Sequence, residues 1–399
     1  DDASATVDVF PANATAESSY LNSTSAGPRL GPGNIDDLFA NNDDDSIDFD
    51  IEEGSVSITN PTDTYVVGSE VDLQGEANTG IDEVAVYARD QGDFERVPID
   101  GENATQVEGD NTFSEEGIVL TNNSGELGAG ILSIPGTYRL GVIDVQDADE
   151  NGDGEPDETL IPQDFNGGVS NAESITVTDT RLTGNFTTYN GQISTLDSDI
   201  DTQGLAIGKS TQGVAVVFVG PRGGVGAHEV SVDSDGSFDE EDLRLAGGGD
   251  DASALAEGTV TAHIISSGRD GEFGDGTTDG NADAVNELLT DATDLGSPGE
   301  GIRGLAGTAG QVNERIVAAT VDDTASDDLI VTETFRLSNA LTTIESVSSP
   351  VETNGTIEVE GQTNAQPDDN TIVIELLTEE DDVIQTTSTD QWGTDGVYS

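Results

Sequence analysis

The chain has 399 residues and carries 81 Asp and Glu against 12 Lys and Arg, a formal net charge of −69. That charge repels nucleic acid and anionic membrane surfaces, so neither is an expected partner. Cys and Met are absent and Lys209 is the one lysine, which excludes disulfides, thiolate metal sites and cysteine nucleophiles.

Taken in order, residues 1–54 read as the end of a preceding β domain. Thr6–Phe10 and Ile47–Ile51 alternate like strands, and Ile35–Phe39 could form a helical turn. From Ser55 the pattern is strand, turn, strand: Val56–Ile58, Val71–Leu73, Val84–Tyr87, Phe94–Val97, Phe113, Ile118–Leu120 and Thr137–Ile143, punctuated by Gly, Pro, Asn and Asp. The pattern repeats through Gly204–Ile207, the apolar run Val214–Val219, Val230–Val232 and Val260–Ile265. Helical spacing then appears at Ala282, Val285, Leu288, Leu289 and Ala292, and more loosely at Leu305, Val312 and Ile316. Leu329–Phe335 resumes a strand.

Internal similarity shows that these runs form a tandem array. Val107–Leu120 returns 125 positions later as Val232–Leu245, with Phe113 on Phe238 and Glu115–Glu116 on Glu240–Glu241. Val71–Asn78 matches Ile357–Asn364, with Gly75 on Gly361, and Val177–Leu182 matches Val331–Leu337 with Phe335 inserted. The expected fold is all-β: tandem immunoglobulin-like β-sandwich domains at 55–180 and 181–336, the second with a short helical insertion, and the start of a third at 337–399. In that third copy Gln391–Tyr398 stands where the Phe113 and Phe238 stretches stand. With both ends falling inside modules, the chain reads as an internal piece of a longer polypeptide, with any export signal or membrane anchor outside it. No apolar run is long enough to span a membrane.

Apolar residues make up 33% of the chain and keep strand periodicity, which a disordered acidic chain lacks. Abundant acid with one lysine points to a folded protein in concentrated salt, where a Debye length of about 3 Å mutes repulsion between carboxylates. A calcium-dependent surface protein outside brine is the other reading of this composition.

The sharpest local motif runs from Asp147 to Glu158. Asp147, Asp149, Asn151, Asp153, Glu155 and Glu158 fall at the spacing of a twelve-residue calcium loop, with Gly152 at its sharp turn. Hard oxygen ligands at that spacing suit Ca²⁺ or Mg²⁺; the bland reading is a hydrated acidic loop between strands. The corresponding stretch Asp270–Asp279, with Asp283, lacks full ligand spacing and is either a solvated loop or a weak cation site. Asp233 and Asp235 belong to a solvent-facing turn. Sequons for N-linked glycans occur at Asn13, Asn22, Asn103, Asn122, Asn185 and Asn354. His228 and His263, the only histidines, read as packing or surface residues. No nucleophile, phosphate-loop or metalloprotease motif is present, so no enzyme is expected; Gly220–Gly226 is a turn cluster.

Acidic composition, tandem modules with Phe- or Trp-centred hairpins, sequons and an acidic calcium loop together resemble the S-layer glycoproteins of haloarchaea. The resemblance implies a secreted, N-glycosylated structural protein whose immunoglobulin-like domains self-associate into a two-dimensional, hexameric lattice on the cell surface. Divalent cations would stiffen its loops and bridge acidic faces. A calcium-stiffened adhesin or pilus-like protein is the alternative, and a hydrolase with accessory β-domains the third reading.

Overall fold

The computed structural model describes residues 3–9, 45–51, 54–78, 80–121, 127–197, 199–210, 212–246, 255–269, 271–274, 284–290, 301–323, 326–352, 355–367 and 369–399. The chain divides into one compact unit of residues 1–55 and 78–80, and another of 56–77 and 81–399. In the first, β1 (Ala3–Val9) pairs antiparallel with β2 (Asp45–Ile51). The helical turn expected at Ile35–Phe39 lies outside the described residues.

The second unit opens with a sandwich of ten strands: β3 (Val56–Asn60), β4 (Thr64–Val66), β5 (Val71–Ala77), β6 (Glu83–Arg89), β7 (Phe94–Arg96), β8 (Thr105–Gln106), β9 (Thr112–Ile118), β10 (Gly136–Asp144), β11 (Thr159–Leu160) and β12 (Ser170–Thr178). One sheet has the order β3-β5-β9, the other β11-β7-β6-β10-β12-β4, with β8 on β6. The next sandwich contains β13 (Arg181–Phe186), β14 (Gln192–Ser194), β15 (Asp199–Ile207), β16 (Val214–Val219), β17 (Val225–Val230), β18 (Ser237–Arg244), β19 (Gly258–Ser266) and β20 (Leu329–Ser338). Its sheets run β13-β15-β18 and β14-β20-β19-β16-β17. Once β3, β5 and β9 are laid on β13, β15 and β18, the order β7-β6-β10-β12-β4 matches β17-β16-β19-β20-β14, and β8 and β11 are additions in the first sandwich. Even the short parallel contact recurs, β4 on β12 and β14 on β20. A three-stranded sheet facing a sheet built on the third, penultimate and last long strands is the immunoglobulin-like arrangement. The remaining strands, β21 (Thr342–Val347), β22 (Val359–Thr363), β23 (Ile372–Leu377), β24 (Val383–Thr389) and β25 (Val397–Tyr398), form a sheet β21-β22-β25 and a hairpin β23-β24.

Alternation places the cores. In the first sandwich Leu73 and Phe113 of one sheet meet Val84, Val86, Leu140 and Val142 of the other. In the second, Phe238 and Leu243 meet Val214, Val216, Phe218 and Ile264. The run Val214–Val219 is apolar throughout because its other face is covered too. Ala215, Val217 and Val219 pack under helices Ala284–Thr290 and Ala309–Ala318, through Val285, Leu288, Leu289, Val312 and Ile316. These are the residues whose helical spacing was legible. The second helix is entered through a Thr308–Gln311 capping box, which satisfies two otherwise orphaned backbone donors. In the first sandwich the equivalent outer face, Ala85 and Tyr87, is covered by short helices Val145–Ala148 and Pro162–Phe165, with Phe165 stacked on Phe94 at 3.8 Å between ring centroids. Neither of these short helices, nor the helix Leu127–Leu132, was expected from the sequence.

Two residues, Asp179 and Thr180, separate β12 from β13, and three separate β20 from β21. At the first junction Gly68 and Gly208, both with positive φ, lie back to back: a Cβ on Gly208 would come within 2.2 Å of the Val67 carbonyl oxygen. Arg269 joins Asp327 at 2.9 Å and Asp179 at 3.7 Å beside them. At the second junction the corresponding turn carries Asp197, whose carboxylate accepts the Gln366 amide at 3.1 Å and the Asn370 side chain at 2.6 Å. The amide of Asn190 donates to Thr394 O at 2.9 Å.

Candidate cation loop, sequons and histidines

The loop at 145–158 begins as β10 leaves the sheet. Asp144 caps the helix Val145–Ala148 by accepting the Gln146 amide at 3.0 Å, and Val145 and Ala148 anchor it in the outer core. A one-turn helix therefore holds the first position of the expected ligand set. Asp147, on that helix, is exposed and accepts the Val169 amide at 2.7 Å.

Asp149 organises the turn. Its Oδ1 accepts the amides of Gly152 at 2.7 Å and Asp153 at 3.0 Å, and its Oδ2 that of Gly154 at 2.8 Å. The Gly154, Gly152 and Asp153 amides hold its carboxyl below the usual range, because donors aimed at a carboxylate favour its charged form. Gly152 and Gly154 have φ of +79° and +93°, which lets the backbone wrap round one side chain. Asn151 donates to Asp157 at 2.6 Å and accepts the Asp153 amide at 3.0 Å; Asp153 in turn accepts the Glu155 amide at 3.0 Å. The exit is tied to the sheet. Tyr87 donates its hydroxyl to Asp157 O at 2.5 Å, the Arg96 guanidinium donates to Pro156 O, and the Arg96 amide donates to Glu158 O at 2.9 Å.

The six positions singled out by spacing are thus not gathered round one point. Asn151, Asp153, Glu155 and Glu158 are exposed and, with Asp157 and Arg96, line an open cavity of about 430 Å³. Asp149 is turned into the loop and Asp147 lies against Val169. Among the described residues no group of three or more His, Asp or Glu is placed to hold a metal ion. The donor chemistry remains that of a hard cation: every side chain offered is a carboxylate or an amide oxygen. Asp157, inside the motif but outside its ligand positions, is a participant that spacing did not identify. So is Glu150, whose carboxyl is raised first by its hydrogen bond to the Asp164 carboxyl.

Of the second acidic stretch, Asp270, Asp275, Asp279 and Asp283 lie outside the described residues. Its described part, Gly271–Gly274, is held by the buried Asp328, which accepts the amides of Gly268 at 3.1 Å and Gly274 at 2.9 Å. Asp233 and Asp235 are exposed, and Asp235 accepts the Ser237 amide at 2.9 Å.

Among the sequons, Asn185 is exposed on β13, while Asn103 is half-buried with its side chain 3.4 Å from Glu155 and its sequon Thr105 buried. Asn13, Asn22, Asn122 and Asn354 lie outside the described residues. His263 is buried, its ring nitrogens 2.9 Å from Thr332 Oγ1 and 2.9 Å from Asn313 Oδ1; burial lowers its pKa. His228 lies 2.7 Å from Arg244 O, and burial lowers its pKa as well. Each histidine bridges secondary-structure elements: His263 ties β19 to β20 and to the helix Ala309–Ala318, and His228 ties β17 to β18.

No known family profile matches the chain. It is 52% identical over 356 residues to a protein of Haloarcula japonica named "Cell surface glycoprotein", covering 89% of this chain and 39% of that one. The protein of the same name from Haloarcula marismortui is 50% identical over 412 positions, 100% of this chain and 45% of that one. The one from Halobacterium salinarum is 46% identical over 400 positions, 100% and 44%. The chain thus spans less than half the length of these relatives. Among solved structures it is similar to a tetra-tandem repeat from the extending region of a large adhesion protein, with 14% identity, 86% of this chain, 64% of that one and a TM-score of 0.25. Fibronectin(III)-like modules of Clostridium thermocellum CbhA match at 10% identity, 54% of this chain, 87% of theirs and a TM-score of 0.15.

Proposed function

The chain belongs with the cell surface glycoproteins of haloarchaea, and on that premise we propose that it is a non-enzymatic structural part of the cell envelope, whose sandwiches set the spacing within a two-dimensional S-layer lattice. The observation that carries this reading is the pair of junctions. Linkers of two and three residues, with direct backbone and side-chain contacts across each, make consecutive sandwiches into one stiff body rather than beads on a string. A stiff body transmits position from one lateral contact to the next, which a lattice requires. The acid surface suits molar salt, in which carboxylates farther apart than the Debye length of about 3 Å barely repel. N-linked glycans on exposed asparagines such as Asn185 belong to the same reading.

We further propose that the 147–158 loop takes up Ca²⁺, or Mg²⁺ where that ion is in excess, on the exposed oxygens of Asn151, Asp153, Glu155 and Glu158. Asp149 shapes the turn, and Asp147, whose Oδ2 accepts the Val169 amide, is left outside this set. A bound divalent ion would add to the single positive charge, that of Arg96, which lines the cavity with these acids. Electron microscopy of the purified protein in molar salt, with and without added Ca²⁺, tests both halves. Ordered sheets that form only with the ion support the reading. Dispersed rods under both conditions overturn the lattice and favour a calcium-stiffened adhesin.

A further inference from the structure

The short helices cover only part of the outer face of the sheet that holds β6, β10 and β12. Beyond Tyr87 and Gly141, over which Phe165 lies, the next two rows are bare. Cross-strand pairing puts Ser174, Arg139 and Arg89 side by side in one row and Thr64, Thr176 and Thr137 in the other. The second sandwich repeats the arrangement past His263, which the second helix reaches through Asn313. There Thr334 stands beside Thr261, and Gln192, Arg336 and Thr259 line up in the next row. None of these eleven positions is acidic. With 81 acids in 399 residues, about two of eleven would be. The outer faces of the three-stranded sheets do carry acids, Asp72 and Glu76 in the first sandwich and Asp201 and Asp239 in the second.

The arginines make this face more than neutral. Arg89 and Arg139 are direct cross-strand partners, a juxtaposition of like charges that destabilises a sheet. Each is held by a backbone carbonyl. Arg89 Nε donates to Gly92 O at 2.7 Å, with its guanidinium over the Phe94 ring, and Arg139 Nη2 donates to Ala172 O at 2.7 Å. Asp90 and Asp93 stand in the adjoining turn, yet neither arginine forms an ion pair with them or with any other acid among the described residues. Arg336 is likewise exposed and unpaired. A guanidinium has five donors, so each of the three keeps several for a carboxylate that its own chain does not supply.

Building on the lattice reading, we propose that this face of the first two sandwiches docks the carboxylate-rich surface of a second copy of the chain, with Arg89, Arg139 and Arg336 as its anchors. Charge complementarity selects the occupant: each copy has a net charge of −69, so every neighbouring copy offers what the face lacks. The contact is heterologous, because the face turned on itself would set arginine against arginine. A heterologous contact closes into a ring or extends as an array. The stiff two-residue junction lets both patches engage together, and linked contacts bind more tightly than either alone. Molar salt favours the contact. It screens the long-range repulsion between two acidic bodies, whereas hydrogen-bonded guanidinium–carboxylate pairs lie within the Debye length of about 3 Å and are screened least.

Sedimentation equilibrium of the unglycosylated chain in molar KCl tests the surface. Arg139→Glu combined with Arg336→Glu should weaken self-association about a hundredfold, about tenfold for each arginine. Arg181→Glu combined with Arg244→Glu makes the same charge change on the opposite sheet and should leave association unchanged. All four positions are exposed, so the melting curves of both variants should match the wild type. Should glutamate perturb the fold, Arg139→Gln with Arg336→Gln is the milder variant and should weaken association in the same direction. Equal association of the wild type and the Arg139 and Arg336 variants, or a wild type that stays monomeric, overturns the proposal. Association that requires the glycosylated chain assigns the face to an anionic glycan and overturns it too. Ordered sheets that survive Arg139→Glu with Arg336→Glu would reject this surface and leave the lattice standing. Arginine-dependent association without ordered sheets would uphold the surface and end the lattice reading.

Discussion

Gly75 and Phe113 are direct cross-strand partners, and the Phe113 ring lies over the glycine so closely that a Cβ there would sit 2.0 Å from Cζ and 2.2 Å from the Ser57 carbonyl oxygen. The same pair recurs as Gly204 with Phe238 and as Gly361 with Tyr398. The turn feeding each aromatic is also shared. Asp110, Asp235 and Asp395 each accept the amide two residues on, and the intervening Asn111, Gly236 and Gly396 have φ of +67°, +83° and +72°. The short polar or absent side chain at that place tolerates the left-handed conformation. The three sandwiches are thus built round one device, an aromatic ring laid across a bare stretch of the central strand.

Gly204→Ala should therefore destabilise the second sandwich by about 1–3 kcal/mol or more, the range of an overpacked core. The added methyl meets both the Thr183 carbonyl and the Phe238 ring. Phe238→Leu in the same chain should recover part of that loss and no more, because the carbonyl does not move. Thermal unfolding in molar salt of the two single variants and the double variant measures the coupling; simple additivity would show that the ring and the glycine act independently.

The junction between the first two sandwiches can be tested against a matched control. Gly208 and Gly191 both have positive φ, but a Cβ on Gly191 meets nothing within 4 Å, whereas one on Gly208 meets the Val67 carbonyl. Alanine at either position carries a conformational cost of about 1 kcal/mol. Only Gly208→Ala should also broaden the distribution of inter-sandwich distances, read by small-angle scattering or by paired spin labels. Equal behaviour of the two variants would mean that the contact does not stiffen the joint.

In the acidic loop, Asp149 and Glu158 should separate by role. Asp149→Ala removes the acceptor of three backbone amides, so it should lower thermal stability with or without Ca²⁺. Its depressed pKa gives the sign: the stabilisation is present above the ordinary Asp value and is lost as pH falls towards the folded value. Glu158→Gln should leave the ion-free protein unchanged and reduce only the shift that Ca²⁺ produces. Calorimetric scans of both variants in EDTA and in Ca²⁺ check this; a Ca²⁺ shift that survives Glu158→Gln would remove that residue from the ligand set.

Asp199 should make the second sandwich sensitive to pH in the opposite sense. Desolvation first, then the carboxylates of Asp242, Asp197 and Asp369, push its pKa up to about 6. Its Oδ1 is buried with no hydrogen-bond partner. The folded chain then holds a proton that the unfolded chain has released above about pH 4, so stability declines as pH rises through that window to pH 6. Asp199→Asn should abolish the decline, raising the melting temperature at pH 7.5 and leaving it unchanged below pH 4. Parallel curves for the two proteins across the window would reject the assignment.

Local pattern was enough to read the all-β class and strands that form the cores, but not every repeat match: Val177–Leu182 spans the end of β12 and the start of β13, whereas Val331–Leu337 lies wholly within β20. Strand alternation, turn residues and the matches of Phe113 to Phe238 and Gly75 to Gly361 are written in consecutive residues. The same is true of Val285, Leu288, Val312 and Ile316, whose 3.6-residue spacing survives because both helices bury one stripe on β16. Tertiary structure alone decided who meets whom. Gly75 and Phe113 stand 38 residues apart in sequence, and only antiparallel pairing of β5 with β9 makes them partners. Tyr398, not Trp392, fills the aromatic place in the third copy, because register puts Tyr398 opposite Gly361 while the Trp392 indole donates to Ala365 O. Spacing treats the six acidic-loop positions alike, yet a helix and a turn point them differently: Asp147 faces Val169, Asp149 turns inward, and the others face water. Periodicity encodes which face of an element is apolar, since that depends on neighbours along the chain. Contacts between elements depend on register and crossing, which are set when whole sheets close over a shared core.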